Sequence, residues 1–331
     1  MDTIRWGIIG TGGIANQAAT ALKLVVGAEV HAVGSRAQET ADQFAAKHRI
    51  PKAYGSYRQL LDDESVDIVY IATPHPQHKD VALAAIERGK AIVVEKSFAA
   101  TYSGAREIVD AARAKGVFAM EAMWTRFLPA IQAAREVIAW GRIGDVRGVQ
   151  GDFVTYFDYD PEHRLFAPDL GGSSLLDLGV YPISTAQFFL GEIKEVHCYA
   201  RLAPTGVDSA AAISLVHAGG ALSSLSCGAD AHGPNRFTIS GTNGWIDVEP
   251  QFHMSGQITI NRTGQLPRII EAKPKGVGYA HQFAEAQRLL QEGATESPTM
   301  PLAETLEIMD VLQTCLEQAG VQTYDVEVDL G

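Results

Sequence analysis

The feature that most constrains this chain is a glycine-spaced turn near its start. Gly10-Thr11-Gly12-Gly13-Ile14-Ala15 follows a short apolar run, Ile4 to Gly10, and opens a segment of helical period, Ile14 to Val26. Gly-x-Gly-x-x-Gly/Ala between a strand and a helix has a mechanical meaning. Gly10 permits the tight turn, Gly12 lets the backbone approach a pyrophosphate, and the small Ala15 lets helix and strand pack closely. The helix N-terminus adds unpaired amides and the positive end of its dipole. A plain glycine-rich turn is the alternative, and the position, the spacing and the repeats that follow weigh against it. Gly10, Thr11, Gly12, Gly13 and Ile14 are therefore candidate dinucleotide contacts.

Apolar runs continue at Glu29 to Gly34, Ile68 to Thr73, Ala91 to Glu95 and Val117 to Met123. Between them lie helical periods at Thr40 to His48, His78 to Arg88 and Ser103 to Lys115. Strands alternating with crossover helices form a doubly wound parallel sheet, a Rossmann domain expected over residues 1–123. After Trp124 the pattern changes. A helix at Pro129 to Trp140 precedes strand-like segments joined by short turns: Val146 to Phe157, Glu195 to Leu202, Ala211 to His217, Ala221 to Cys227, Arg236 to Gly241, Trp245 to Glu249 and Gln257 to Asn261. This succession predicts a second α+β domain over residues 124–331, with a mainly antiparallel, open-faced sheet. Helices expected at His281 to Gln291 and Leu302 to Gln318 cover one face of it or pack back across the domain junction. The other face also needs a cover, and a second copy of the chain is the simplest one, so a homodimer through this sheet is expected.

Composition excludes several functions. With 331 residues and 46% hydrophobic content, the chain is long enough for two cores. Lys and Arg number 27 against 39 Asp and Glu, and a net charge of -12 repels nucleic acid and anionic membranes, so neither is an expected partner. Any anion site must be built from local donors. Cys198, Cys227 and Cys315 show no zinc or disulfide spacing, no metal-ligand pattern is present, and a reducing compartment follows. No export signal and no run of about 18 apolar residues is legible, which predicts a cytoplasmic protein.

The second apolar run ends in Gly34-Ser35-Arg36. An acid here would grip a ribose hydroxyl, whereas Ser35 and Arg36 suit a 2'-phosphate through a hydroxyl and a bidentate guanidinium. NADP is thus the expected cofactor and NAD the alternative, with Arg36 as a solvated cation the competing explanation. Lys96 follows the run ending at Glu95, at the carboxyl edge of the sheet where ligands bind. In the second domain Asp177 and Tyr181 stand four apart at an expected helix start, so both share one face. Read alone, these three are equally a surface cation, a helix cap and a core aromatic. His75 and His78 open a helix near the switch point, where cofactor contact competes with capping and loop packing. Trp124 and Arg126 border the nicotinamide or substrate, or pack in the core or a domain hinge, and Asp158, Asp160, His163 and Arg164 form a polar loop that borders the substrate cavity or, as such runs more often are, is solvated.

The chain resembles the glucose-fructose oxidoreductase and inositol dehydrogenase family (Gfo/Idh/MocA). The resemblance rests on the glycine turn, Thr73-Pro74-His75 with His78, Glu95-Lys96, and Asp177-Leu178-Gly179-Val180-Tyr181-Pro182. Within that family it looks most like the dimeric dihydrodiol dehydrogenases and NADP-dependent xylose dehydrogenases, through Glu121-Ala122-Met123-Trp124-Thr125-Arg126-Phe127 and a tyrosine at 181. It departs from the family at Ser97, where proline usually follows Glu-Lys. The resemblance implies a sugar or vicinal-diol substrate and adds Thr73, Pro74, His75, His78, Glu95, Lys96, Trp124 and Arg126 to the cofactor contacts. It also implies that Tyr181 is the acid/base, Lys96 stabilises its phenolate and Asp177 orients substrate hydroxyls. Two alternatives accompany it: tightly bound NADP cycling between two sugars, and a non-catalytic NADP-binding regulator.

Overall fold

The computed structural model describes residues 3–331. The chain divides into two compact units. The first runs up to Ala122 and takes in Lys275–Leu306 and Tyr324–Gly331; the second comprises Met123–Pro274 and Glu307–Thr323.

The first unit holds six strands: β1 (Ile4–Ile9), β2 (Ala28–Gly34), β3 (Lys52–Tyr54), β4 (Ile68–Ile71), β5 (Ala91–Glu95) and β6 (Ala119–Ala122). They pair in parallel in the order β3-β2-β1-β4-β5-β6, the doubly wound arrangement expected. The connecting helices are α1 (Gly13–Leu22), α2 (Gln38–His48), α3 (Tyr57–Leu61), α4 (His78–Glu87) and α5 (Tyr102–Lys115). Every residue of β4 and β5 is buried, as continuous apolar runs require when helices cover both faces. Helix α1 turns Ala15, Ala18 and Ala19 inward, all at 0% exposure, so small side chains let it lie close to the sheet. Helix α5 begins where the Thr101 side chain accepts from the Gly104 amide and ends at Gly116, φ 68°. Strand β3 and helix α3 were not expected from the pattern, being too short to display a period.

In the second unit α6 (Pro129–Ala139) leads into β7 (Val146–Val154), then a long loop and α7 (Val180–Leu190). Seven strands follow: β8 (Ile193–Leu202), β9 (Asp208–His217), β10 (Leu222–Gly228), β11 (Phe237–Gly241), β12 (Gly244–Val248), β13 (Gln257–Arg262) and β14 (Arg268–Glu271). The eight-stranded sheet has the order β14-β13-β12-β11-β7-β10-β9-β8 and is antiparallel except for the parallel pair β7 and β10. Helices α6 and α7 pack against one face. On the opposite face one register row runs Ile269, Thr259, Asp247, Thr238, Gln150, Ser224, Ser214, His197. That face also presents Tyr199, 85% exposed, and Leu222, 58% exposed.

Helix α8 (Ala280–Gln291) lies in the first unit, where Phe283 stands edge-on to Trp6 and Tyr70 at 5.3 and 5.2 Å. Helix α9 (Leu302–Ala319) ends in the second unit; there Gln318 accepts from the Cys198 amide and donates to the Val196 carbonyl, tying it to β8. The tail then binds the first unit through Val326 N–H to Pro76 O, Val328 N–H to the Asp80 carboxylate, and the Asp325 carboxylate to Ala100 N–H. Among the described residues, no helix is long and apolar enough to cross a membrane.

Candidate active site

The first unit gathers one set of candidates at the carboxyl ends of β1, β2, β4 and β5. Gly10 has φ 102°, and a Cβ there would meet the Ala72 carbonyl oxygen at 2.8 Å, so only glycine fits. A Cβ on Gly12 or Gly13 would meet nothing within 4 Å, so open space lies over the start of α1. That helix has no side-chain cap and no acid in its first turn, which leaves its amides to an outside anion. The buried Thr73 hydroxyl has no partner among the described residues. Together, a glycine cradle, uncapped amides and an unsatisfied hydroxyl at adjacent strand ends fit a dinucleotide pyrophosphate.

At the end of β2, Ser35 is largely buried, with its amide bonded to the Tyr54 carbonyl, while Arg36 is exposed. Arg36 lies near Tyr57, whose phenol burial pushes up in pKa and the guanidinium pulls back down. Tyr54 in turn donates to Asp63, which also receives Lys52 and Ser65; these bonds hold Asp63 below the usual carboxylate range despite desolvation that pushes it up. No acid stands at positions 34–36.

Around Lys96 the backbone is held by histidines. His78 is completely buried, its ring nitrogens 2.9 Å from Ser97 O and 2.8 Å from Thr73 O, and His75 Nε2 lies 3.2 Å from Lys96 O. Burial pulls the His78 imidazole down to about 4, although the carbonyl contacts favour its charged form. A neutral ring donates to one of these carbonyls and only packs against the other, whereas the imidazolium would donate to both. Glu95 is buried; its carboxylate receives the Tyr70 hydroxyl and the Lys96 amide. These contacts place His75, His78 and Glu95 as supports for the Thr73 and Lys96 backbone. The Lys96–Ser97 peptide is cis.

The second unit supplies the other set. Ser174 and Leu175 bond the fully buried Asp208 through the hydroxyl and the amide, at 2.6 and 2.7 Å. Leu175–Gly179 then forms a π-helical turn that runs directly into α7. Single π-turns within helices are frequent at functional sites. Asp177 stands in this turn and Tyr181 one turn later, so the helix start expected from sequence is present in a widened form. Trp124 Nε1 donates to the Tyr181 hydroxyl at 2.9 Å. Phe153 and His253 complete an aromatic enclosure, stacked on each other at 4.1 Å and lying 5.1 and 5.6 Å from the Tyr181 ring. The Thr125 hydroxyl fixes the His253 backbone at 3.0 Å.

Arg126 is fully buried, and its guanidinium donates to Ser184 Oγ, Ser184 O and Gln187 Oε1. In this unit it is a clamp between the turn Trp124–Phe127 and α7. Asp177 receives two bonds from Arg164, at 2.9 and 3.0 Å. Sequence reasoning missed Phe153 and His253 and placed Arg164 in a polar loop that either borders the substrate cavity or is solvated. For Phe153 a signal existed in the inward alternation Val149, Gly151, Phe153; for His253 none did. No cluster of three or more His, Cys, Asp or Glu suited to a metal occurs among the described residues.

Comparison with known proteins gives each part of the chain a family match. Residues 4–123 match the profile of an oxidoreductase family with an NAD-binding Rossmann fold, and residues 131–247 match a GFO/IDH/MocA C-terminal domain. The chain is 35% identical over 328 residues to trans-1,2-dihydrobenzene-1,2-diol dehydrogenase of Mus musculus, covering 96% of this chain and 97% of that protein. The Xenopus laevis protein of the same name is 36% identical, covering 96% and 98%. Among solved structures, an NAD binding oxidoreductase from Klebsiella pneumoniae is 25% identical with a TM-score of 0.86, covering 96% of both chains. Levoglucosan dehydrogenase in complex with NADH and levoglucosan shares the fold at 23% identity, with a TM-score of 0.87 over 96% of this chain and 98% of that one.

Proposed function

We propose, from the premise that this chain belongs to the GFO/IDH/MocA oxidoreductase family, that it is an NADP-dependent dehydrogenase acting on a hydroxyl of a sugar or vicinal diol. That it is an NAD(P)-dependent oxidoreductase follows from the family itself and from the dehydrogenases it is similar to. The substrate class is argued from those relatives and from the second unit's chemistry. NADP, when bound, supplies the hydride acceptor at its nicotinamide. Gly10, Thr11, Gly12, Gly13 and Ile14 would hold its pyrophosphate, Ser35 and Arg36 its 2'-phosphate, and Thr73, Pro74 and Lys96 the backbone edge beyond.

Oxidation of an alcohol requires its hydroxyl proton to leave as the C–H hydride departs. Tyr181 takes that proton in this reading. A tyrosine of ordinary pKa, about 10, is a poor base at neutral pH, so the phenolate must be stabilised. The observation that carries the assignment is the Trp124 Nε1–H bond to the Tyr181 oxygen, a donor that favours the anion. The positive charge is assigned to Lys96 from the sequence resemblance. Asp177, on the same helical run, accepts the neighbouring hydroxyls of a polyol.

The test is a panel of aldoses, inositols and vicinal diols assayed with NADP and NAD. Turnover of a polyol with a lower KM for NADP is the expected result, and inactivity on every polyol would sink the reading. NADP that stays bound through dialysis yet turns over with two sugars would point to the internally cycling enzyme instead.

We also propose that a second copy covers the open sheet face. Support comes from its exposed Tyr199, Leu222, Trp245 and Ile269, and from a groove of about 430 Å³ bounded by Arg147, Gln150, Ser214, Ser224 and Ser240. Sedimentation equilibrium should give a dimer that Ser224→Arg converts to monomer; a wild-type monomer would remove the proposal.

A further inference from the structure

We infer that Arg164 is a positioning residue, which sets the plane in which the Asp177 carboxylate meets substrate hydroxyls. The inference rests on the reading of Asp177 given above. Three observations carry it. The first is geometry: Arg164 Nη1 bonds Oδ1 at 2.9 Å and Nη2 bonds Oδ2 at 3.0 Å, the parallel fork that fixes both the direction and the rotation of a carboxylate.

The second is the contrast in burial. The Asp177 side chain is only 7% exposed, whereas that of Arg164 is 56% exposed. The bond therefore joins a solvated guanidinium to a carboxylate withdrawn from water, so the fork reaches inward and holds a group that solvent does not orient.

The third is the backbone that carries the guanidinium. Leu165 and Phe166 are buried at 1% and 2% exposure, and the Phe166 and Ala167 amides both bond the His163 carbonyl, at 2.8 and 2.9 Å. Arg164 therefore projects from a pinned turn. On the other side, Asp208 fixes the backbone that enters the Asp177 turn through Ser174 and Leu175. The carboxylate is thus set from below by its helix and from outside by Arg164. A parallel fork fixes the plane of the carboxylate, and hydroxyls of a diol would meet it in that plane.

Arg164→Met, Arg164→Lys, Asp177→Asn and the double variant Arg164→Met/Asp177→Asn decide the matter, with D-xylose and trans-cyclohexane-1,2-diol as probes. Arg164→Met should raise the polyol KM about tenfold or more, with kcat and the KM for NADP within about threefold of wild type. Its melting temperature should move by no more than about 3 °C. Arg164→Lys keeps the charge without the fork and should recover only part of the loss. The double variant should be no worse than Asp177→Asn within about twofold, because both changes remove one shared interaction. An unchanged polyol KM in Arg164→Met, or multiplying effects in the double variant, overturns the inference. If Asp177→Asn is impaired and Arg164→Met is not, the role of Asp177 stands and that of Arg164 falls. If Asp177→Asn is normal, or wild type turns over neither probe, both fall together.

Discussion

Trp124 gives its indole N–H to the Tyr181 oxygen at 2.9 Å, and because an indole can only donate, the phenol oxygen must act as acceptor in this bond. It is therefore a bond that the phenolate keeps. Tyr181→Phe removes the proton acceptor and should lower kcat by about 10²- to 10⁴-fold, the usual contribution of a general base. Trp124→Phe keeps a ring of similar shape without the donor and should cost about tenfold in kcat. Neither should change the Kd for NADPH measured by fluorescence; a Tyr181→Phe enzyme with normal turnover would exclude the tyrosine from the proton step.

Arg36→Asp places a carboxylate where the 2'-phosphate is proposed to sit. The KM for NADP should rise by about 30-fold or more while that for NAD changes by less than about threefold, the asymmetry expected of a lost charge-assisted fork. Equal changes for both nucleotides would make Arg36 a general surface cation.

Gly10→Ala must adopt φ near 102° and bring its Cβ to 2.8 Å from the Ala72 carbonyl oxygen. Strain of this kind costs about 1–3 kcal/mol, so the variant should melt several degrees lower and lose NADPH fluorescence enhancement. Gly13→Ala, where an added Cβ meets nothing within 4 Å, should keep its melting temperature and weaken only dinucleotide binding.

His78 should make stability depend on mild acid. Burial lowers its pKa to about 4, below the ordinary 6.5, so between those values the unfolded chain binds a proton that the folded chain does not. Stability should therefore rise with pH across that window, by at most about 3 kcal/mol. In His78→Gln this slope should flatten, as read by urea unfolding at pH 4.5 and pH 7. A wild-type protein as stable at pH 4.5 as at pH 7 would show that the folded state holds the imidazolium.

Much of the nucleotide-binding unit was legible because each strand and helix carries a full period and its punctuation. Gly10, Gly12 and Ala15 announce a turn whose steric demand is local, and Ser35-Arg36 is read directly at a strand end. Strand β3, three residues, and helix α3, five residues, are shorter than any period and escaped notice. Asp177 and Tyr181 were visible as neighbours on one helix, but the π-helical widening between them arises from buried partners such as Asp208, which no local spacing encodes. The walls around Tyr181 come from remote positions. Phe153 sits on β7 and His253 in a turn before β13, and only tertiary folding brings them together. For Arg164 the sequence shows only a polar loop, at the substrate cavity or in solvent; the fork on Asp177 exists only in three dimensions.

The chain crosses between its two units four times, and Phe283, which caps the ring edges of Trp6 and Tyr70, is made only after the second unit's sheet. A ribosome thus releases β1 to β6 with their aromatic underside bare, and the nucleotide-binding half stays incomplete until α8 and the residues around Asp325 emerge. Maturation of the first half depends on segments made after the second unit's sheet. An excised Rossmann piece ending at Ala122 should accordingly be sticky and short-lived, and chaperones would meet this protein as one long client rather than two successive ones.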